Sequence, residues 1–258
     1  MKILRQSKIE ELVAFDCKHG SIVIGTDEAG RGPLAGPVVA GAVYFPELNQ
    51  EVCEVVKFID DSKKFSSNPK LRKELSESIK SVAKYSIQEC SVEEIDKINI
   101  LQASLLAMRK SCEELIGQLN LSCHSEGFSP KNLSNLDFKP NSPNGQILRT
   151  AQDDKEIHSN LIILVDGNFV IPQYNYKQKA VKKGDTLSAS IAAASILAKV
   201  HRDELMQGLA ENFPQYGWHK NKGYGTQEHR EAILTHGACK CHRKTFLNKV
   251  LCEQKKLF

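Results

Sequence analysis

Four carboxylates occupy positions where a folded chain could bring them into one site. Asp27 and Glu28 are adjacent and follow residues 21–24, a short, mostly β-branched run that predicts a buried strand. Asp166 follows a second apolar run, and Asp185 stands just before a long helical pattern. Strand ends and helix starts are the places where α/β folds assemble sites. The four acids are therefore candidate site residues.

Carboxylates grouped in this way need a counter-charge. Each pair about 4 Å apart repels by roughly 1–4 kcal/mol, depending on screening, and two divalent cations would cancel the formal charge of the four. Ligands that are all oxygen favour Mg²⁺ or Mn²⁺ over Zn²⁺. Two such ions about 3.5–4 Å apart activate a water and stabilise the leaving oxygen of an in-line phosphoryl displacement. Taken alone, Asp166 also suits a turn and Asp185 a helix cap, so the interpretation rests on the set.

The stretch from Gly25 to Gly36 combines the first two acids with glycines, prolines and one arginine. Glycine lets backbone N–H groups approach a ligand that side chains would keep away, which suits chemistry on a phosphate. Successive residues of a strand point to opposite faces of the sheet. Asp27 and Glu28 are therefore expected to share a site only if the strand ends or bulges there.

The elements that must position these residues are predicted from hydrophobic patterns and helix signals. Short apolar or alternating runs on both sides of the Gly25–Gly36 stretch, over 82–90 and over 161–165 predict strands. A capping-box pattern from Ser91 to Glu94 opens one or two helices towards Leu115. Further helices are predicted over 1–20, 71–79 and 188–209. The last of these has many small residues, which would let it lie close against a sheet.

The overall composition is that of a globular chain. Its 258 residues are 41% hydrophobic and 26% charged, and this length can bury a full core. No apolar run approaches the roughly 18 residues of a transmembrane helix. The N-terminus lacks the apolar segment of a secretory signal, so a cytoplasmic location is expected. The eight cysteines are irregularly spaced and are expected to be reduced thiols.

Charge and composition change along the chain. From Lys177 to the end there are fifteen Lys and Arg against seven Asp and Glu, a net +8, although the whole chain is only +4. A basic C-terminal third is a candidate surface for phosphates, or simply a solvated basic face. Residues 117–159 are rich in Asn, Ser, Pro and Gly. We interpret them as an insertion or long loop, because structureless loops above about 12–15 residues are uncommon in compact domains.

Several of these segments together resemble the type 2 ribonucleases H, the ribonuclease HII family. The resemblance is carried by the stretch Gly25–Gly36, by Val165–Asn168, by Lys183–Asp185, by the helix 191–203 and by Gly223–Thr226, and it does not extend to residues 117–159. It implies an α/β fold, a ribonuclease H-like mixed sheet flanked by helices, with a small C-terminal helical region. The implied organisation is a catalytic domain over 1–210 and a helical substrate-binding region over 211–258.

The resemblance also implies an activity. Members of the family cleave the RNA strand of RNA–DNA hybrids and incise duplex DNA on the 5′ side of single embedded ribonucleotides, leaving 3′-hydroxyl and 5′-phosphate ends. The matched acids Asp27, Glu28, Asp166 and Asp185 would be the catalytic residues and would hold two divalent ions, Mg²⁺ or Mn²⁺. The expected partners are hybrid and ribonucleotide-containing duplexes, and the expected oligomeric state is a monomer.

Substrate contacts are implied at further positions. Gly30, Arg31 and Gly32 match the family motif that recognises the ribose 2′-hydroxyl, largely through backbone groups, in agreement with the role of this hydroxyl as the mark of RNA. Tyr224 matches the tyrosine that stacks on the sugar just 3′ of the ribonucleotide. The candidate phosphate contacts are Lys63, Thr186, Ser195, Lys199 and Arg202, and the basic residues among them could equally be ordinary surface charges.

Two alternative interpretations of the whole chain agree less well with its residues. Ribonucleases HIII have a sizeable N-terminal substrate-binding domain and a glutamate as the fourth acid. Here only about 20 residues precede the first predicted strand, and the fourth acid is Asp185, which favours ribonuclease HII. A non-catalytic nucleic-acid-binding module with the same fold is disfavoured because all four acids are present.

Two C-terminal motifs suggest further partners. Residues 236–242 crowd two histidines and two cysteines together, but they lack the C-x₂-C pair typical of zinc sites. His236 and His242 are therefore expected to satisfy polar structure or to face nucleic acid. The chain ends with Gln254, Leu257 and Phe258 spaced as in peptides that bind bacterial sliding clamps. The alternative is that the last two side chains fold back onto the C-terminal helices.

Overall fold

The computed structural model describes residues 2–47, 52–55, 58–59, 68–125 and 160–248. Five strands form one mixed sheet in the order β3-β2-β1-β4-β5. Strand β1 is antiparallel to β2, which is antiparallel to β3, whereas β1, β4 and β5 are mutually parallel neighbours. The strands are β1 (Ile22–Ala29), β2 (Val38–Tyr44), β3 (Lys84–Cys90), β4 (Leu161–Asp166) and β5 (Lys177–Val181).

Helices cover both faces of the sheet, so the predicted fold class is confirmed. The α-helices are α1 (Lys2–Cys17), α2 (Pro69–Val82), α3 (Val92–Ile98), α4 (Ile100–Ser125), α5 (Ala189–Asn212), α6 (Trp218–Asn221) and α7 (Gln227–His236). Helix α4 packs against β2 and β3 on one face, and α5 packs against β1 and β2 on the other. Within the described residues, no helix is long and apolar enough to cross a membrane.

Helix α5 lies unusually close to the sheet, as its small residues predict. Ala192, Ala193 and Ala194 are all buried on it. The sheet contributes to the close approach through Gly25 of β1, where an added Cβ would lie 2.3 Å from the backbone nitrogen of Ile191. Only glycine fits there, because the neighbouring atoms are backbone and cannot move aside.

Helix α3 begins where the capping box predicts, whereas α4 ends later than expected. The Glu94 N–H donates to the Ser91 hydroxyl at 3.2 Å, and the Glu94 carboxylate accepts from the Ser91 N–H at 2.7 Å. Helix α4 continues through Gly117 to Ser125, so the predicted loop from residue 117 is wrong over its first nine residues. Residues 126–159 lie outside the described part of the chain.

The C-terminal helical region is built around the single tryptophan of the chain. Trp218 is fully buried with Tyr216, Ile233 and Leu247, and Met206 of α5 belongs to the same cluster. This region is therefore continuous with the helix that supports the sheet. It also bonds to the turn between β1 and β2, as described below.

Candidate active site

The acids predicted from the sequence lie close together at the carboxyl ends of the neighbouring strands β1 and β4. Strands β1 and β4 are parallel neighbours, with Thr26 paired to Val165, so the end of β4 at Asp166 lies beside the acids of β1. A 3₁₀ turn over Gly184–Thr186 brings the fourth acid close. Its first residue, Gly184, donates its N–H to Asp166 Oδ1 at 2.6 Å. The topology thus assembles carboxylates from three separate segments.

Strand β1 neither ends nor bulges at its two acids. It runs on to Ala29, so Asp27 and Glu28 lie on opposite faces of the sheet. Asp27 is buried on the α5 face and hydrogen-bonds with the Ser195 side chain. The expectation that the two acids share a site only where the strand ends or bulges stays a prediction. Asp166, at the end of the neighbouring strand, lies within electrostatic range of both acids.

Glu28 opens into a cleft on the α4 face. It lines this cleft together with Asp166, Arg31 and the apolar side chains Leu101 and Met108 of α4. The Arg31 guanidinium donates to Glu28 Oε1 at 3.1 Å, and only 9% of the Glu28 side chain is exposed. The cleft is therefore acidic and closed to solvent on the helix side.

Burial and mutual repulsion disfavour negative charge on these acids. Burial raises the pKa of Asp27 well above its ordinary value, and the charges of Glu28 and Asp166 raise it further. The pKa of Glu28 is raised by burial, although Arg31 opposes this shift. The pKa of Asp166 is also raised, first by burial, despite the N–H donated by Gly184. A bound cation would make the ionised form of all three carboxylates more favourable.

The donor chemistry fits a hard divalent cation, although the side chains are not arranged around one. Among the described residues, no group of three or more His, Cys, Asp or Glu is positioned to hold a metal ion as it stands. The carboxylate oxygens are engaged locally instead, for example Asp27 Oδ1 with the Glu28 N–H at 2.7 Å. All four candidate ligands are oxygen donors, as Mg²⁺ and Mn²⁺ prefer. Glu28 can turn from the half-exposed Arg31 towards such an ion.

The predicted substrate motifs form one surface beside the acids. Tyr224 is 45% exposed, and a Cβ added at Gly32 would lie 3.5 Å from its ring. The Leu34 N–H donates to the Gly223 carbonyl at 2.8 Å, which holds the two segments together. The Gly30–Arg31–Gly32 motif and Tyr224 are far apart in sequence, and the fold makes them neighbours.

The predicted phosphate contacts differ in how well they fit that role. Arg202 does not fit it, because it is 1% exposed and donates to the carbonyls of Ala35, Pro37 and Lys222 at 3.1 Å each. Its guanidinium hydrogen-bonds to the β1–β2 turn and is not available to a ligand.

Two of the other candidates, Lys199 and Thr186, lie nearer the surface. Lys199 is half-buried and pairs with Asp203 at 2.6 Å. Thr186 is exposed, and its hydroxyl donates to the Lys183 carbonyl at 2.8 Å. Ser195 faces Asp27, as noted above, and Lys63 lies outside the described residues. These four contacts stay predictions.

Arg243 was not predicted from the sequence, and it is fully buried under the β1–β2 turn. Its guanidinium donates to main-chain carbonyls of that turn, including Gly30 at 2.7 Å and Pro33 at 2.9 Å. Burial and the nearby Arg202 lower the pKa of Arg243 to about 9, so it remains charged at neutral pH. A basic residue in a basic tail offers no local signal of such burial.

The two histidines of the suspected zinc motif have different environments. His236 is exposed, whereas His242 is buried. His242 Nδ1 accepts the Cys239 N–H at 3.0 Å, and its Nε2 lies 3.2 Å from Nε2 of His229. The Trp218 indole donates to the same His229 nitrogen at 2.9 Å. His242 thus satisfies polar structure in the C-terminal core.

The five-stranded mixed sheet with helices on both faces defines a protein of the ribonuclease H-like fold. Two solved structures share this fold. One is a Bst-RNase HIII in complex with Mn²⁺, with a TM-score of 0.62 at 18% identity over 94% of this chain and 73% of that one. The other is a PCNA:RNase HII complex from Archaeoglobus fulgidus, with a TM-score of 0.54 at 22% identity over 86% and 94%.

Sequence relatives narrow the class to one family. The family model for ribonuclease HII matches residues 24–138 and 146–249. Ribonucleases HII from Wolbachia pipientis subsp. Culex pipiens and from Fusobacterium nucleatum are each 44% identical, over 87% and 93% of this chain and 90% and 92% of theirs. The chain belongs to the ribonuclease HII family, and it is accordingly a ribonuclease H, a phosphodiester-hydrolysing endonuclease of a divalent-metal-dependent family.

The family match also corrects the interpretation of residues 117–159. We expected the resemblance to stop at this segment, but within it the match leaves only residues 139–145 uncovered. The similarity of this segment to the family could not be seen from its pattern, because its Asn, Ser and Pro residues give no hydrophobic period from which a helix or strand could be predicted.

Proposed function

We propose that this chain cleaves the RNA strand of RNA–DNA hybrids and incises duplex DNA on the 5′ side of single embedded ribonucleotides, leaving 3′-hydroxyl and 5′-phosphate ends. The observation that carries the proposal is the juxtaposition of two features. The acidic cleft at the ends of β1 and β4 lies beside the Gly30–Arg31–Gly32 turn, and Arg31 touches both, because it bonds Glu28. A ribose bound at the turn would place its phosphate at the acids.

The acids Asp27, Glu28, Asp166 and Asp185 are proposed to hold two divalent ions. When bound, Mg²⁺ or Mn²⁺ ions supply the charge that activates an attacking water and stabilises the leaving 3′-oxygen. Burial raises the pKa of the first three acids, so ionising all of them together is unfavourable without a counter-charge. Cation binding and ionisation of these carboxylates are therefore coupled.

Arg31 and Tyr224 are proposed to orient the substrate. Arg31 is half-exposed, and its guanidinium makes one hydrogen bond, of 3.1 Å, to Glu28 at the surface of the cleft. Once Glu28 turns to a cation, the guanidinium is available to a substrate phosphate, for which its fork geometry is suited. The exposed Tyr224 ring can stack on a sugar next to the turn, which supports recognition of a single ribonucleotide junction.

Cleavage of a duplex that contains one ribonucleotide tests the proposal. The wild-type protein should cut it on the 5′ side with Mg²⁺ or Mn²⁺ and should leave the all-DNA duplex intact. Asp166→Asn should abolish cleavage and leave duplex binding largely unchanged, because it removes a metal ligand and not a phosphate contact. Glu211→Gln is the control, since it also removes one negative charge, but from an exposed acid near the end of α5. Near wild-type turnover of Asp166→Asn with saturating Mn²⁺ would contradict the two-metal assignment.

A sliding clamp is a proposed partner. The residues concerned, Gln254, Leu257 and Phe258, lie outside the described part of the chain, so the proposal rests on their spacing in the sequence. Burying a leucine and a phenylalanine in a partner's groove contributes about 1.5–3 kcal/mol each before ordering costs. The Archaeoglobus fulgidus protein forms a complex with PCNA, which supports looking for the same kind of contact here.

A further inference from the structure

The turn between β1 and β2 is held from beneath by the guanidinium of Arg243. Its Nη2 donates to the carbonyls of Gly30 at 2.7 Å and Gly36 at 2.8 Å, and its Nη1 donates to those of Arg31 at 3.1 Å and Pro33 at 2.9 Å. The side chain is 0% exposed. A buried charge is tolerated only when it is fully hydrogen-bonded, and here the turn supplies the acceptors. Arg243 and the turn therefore depend on each other.

A second buried arginine completes the arrangement. Arg202 donates to the carbonyls of Ala35 and Pro37, which belong to the same turn. Gly30 has a φ of +98°, and a Cβ added there would lie 2.1 Å from Arg202 Nε. The turn is thus packed directly onto both guanidinium groups, and its carbonyl oxygens point inward.

This inward orientation fixes the direction of two N–H groups. All peptide bonds in the described residues are trans, and in a trans peptide the C=O and N–H point in opposite directions. Because the Gly30 and Arg31 carbonyls point at Arg243, the N–H groups of Arg31 and Gly32 point away from it. The Tyr224 ring lies next to the same turn, 3.5 Å from the position of a Cβ added at Gly32.

We propose that Arg243 is a positioning residue that sets ribose specificity without touching the substrate. It holds the peptide planes of the turn so that the Arg31 and Gly32 N–H groups donate to the 2′-oxygen of a ribonucleotide. This inference rests on the proposed function, because it assigns the origin of ribose recognition at the same site. Lysine cannot replace arginine in this role, since it has three donors on one atom and no planar fork.

Binding measurements on Arg243→Lys test the proposal. Matched duplexes with and without one ribonucleotide are titrated in EDTA, so that binding is measured without cleavage. For Arg243→Lys, affinity for the ribonucleotide duplex should fall at least tenfold, and affinity for the all-DNA duplex should stay within twofold. The control is Arg109→Lys, because Arg109 also donates through Nε, but its acceptor is the Glu113 carboxylate on α4, at 2.8 Å. It should leave both affinities unchanged.

The outcomes separate this inference from the proposed function. If wild-type protein does not cleave the ribonucleotide duplex with Mg²⁺ or Mn²⁺, the proposed function fails and this inference fails with it. If wild type cleaves that duplex but does not prefer it in binding, only the positioning role is overturned. If wild type discriminates and a folded Arg243→Lys discriminates equally well, only the positioning role is overturned. Equal loss of affinity for both duplexes would indicate a general structural role and would also overturn it. Thermal melting and the fluorescence of the buried Trp218 report whether the variant is folded.

A measurement on the wild-type protein covers the case in which Arg243→Lys does not fold. In ¹⁵N-labelled protein, the amide protons of Arg31 and Gly32 should move downfield when the ribonucleotide duplex is added. The all-DNA duplex should not produce this shift. Unchanged amide signals at both residues in the ribonucleotide complex would overturn the proposal, because they would show that neither N–H donates to the 2′-oxygen.

Discussion

The paired histidines of the C-terminal core should make the stability of this protein pH-dependent. His229 Nδ1 lies 2.8 Å from the Tyr224 carbonyl, which can only accept, so this nitrogen carries the proton. His229 Nε2 then accepts from Trp218. His242 Nδ1 accepts the Cys239 N–H, so its own proton sits on Nε2 and points at His229. A second proton on either ring would set two donors against each other.

The size of the effect follows from the pKa of His242. Burial, with the neighbouring His229 as a second cause, lowers this pKa from the ordinary 6.5 to about 4. The folded protein therefore excludes a proton that the unfolded chain binds. The stabilisation is fully present above pH 6.5 and is lost as the pH falls towards 4, at about 1.4 kcal/mol for each pH unit between these two pKa values. Between pH 7.5 and 5.0 the loss from His242 is about 2 kcal/mol.

Replacing His242 by glutamine should remove this titration. At pH 7.5 the variant should be less stable than wild type by about 1–3 kcal/mol, because it leaves buried groups imperfectly bonded. At pH 5.0 the difference should be smaller by about 2 kcal/mol, since only wild type loses the His242 contribution. The raised pKa values of Asp27 and Asp166 stabilise the fold as the pH falls, but they do so equally in both proteins and cancel in the difference.

Urea unfolding at the two pH values measures this difference directly. Trp218 is the only tryptophan of the chain, and its ring centroid lies 5.3 Å from that of His242, so its fluorescence reports on this core. His219→Gln is the control, because this neighbouring histidine is exposed. A difference between wild type and His242→Gln that stays constant from pH 7.5 to 5.0 would refute the assignment of two neutral, proton-excluding histidines.

Three further predictions concern the choice of substrate, the packing of α5 against the sheet and the binding of a sliding clamp. Tyr224→Ala should reduce incision at a lone ribonucleotide more than cleavage of a uniform hybrid, since only the former has a single junction; equal losses would contradict this. Gly25→Ala should lower the free energy of unfolding by about 3 kcal/mol through the clash with Ile191, whereas Gly117→Ala, with open space around it, should not, as urea unfolding would show. A labelled 250–258 peptide should bind the cognate clamp more tightly than one with both terminal apolar residues changed to alanine; equal binding would leave the alternative in which these side chains fold back onto the C-terminal helices.

Much of the fold could be predicted from local pattern. The β-branched runs predicted the central strands, and the small residues of α5 predicted its close approach to the sheet. The end of α4 could not be predicted in this way, because residues 117–125 carry a glycine and several polar residues that favour a loop when considered alone. They are helical as the continuation of an established helix, and extending a helix is far easier than starting one.

The sequence indicated the candidate acids but not how the fold brings them together. The acids were identified because a carboxylate at a strand end has few roles. Strand β1, however, continues past Asp27 and Glu28, and the acids meet through Asp166 on the neighbouring strand. That relation depends on strand order, which joins residues far apart in the chain and leaves no local mark.

The sequence by itself determined which residue types could do the chemistry and which elements would carry them. Hydrophobic period, turn residues and carboxylate positions are local properties, and they act over a few residues. Only the tertiary structure decided which charges face solvent. Arg31 is exposed, while Arg202 and Arg243 are buried under the turn that contains it. A guanidinium can be buried only where the fold brings enough carbonyl oxygens around it, and here those oxygens come from a turn more than a hundred residues away in the sequence.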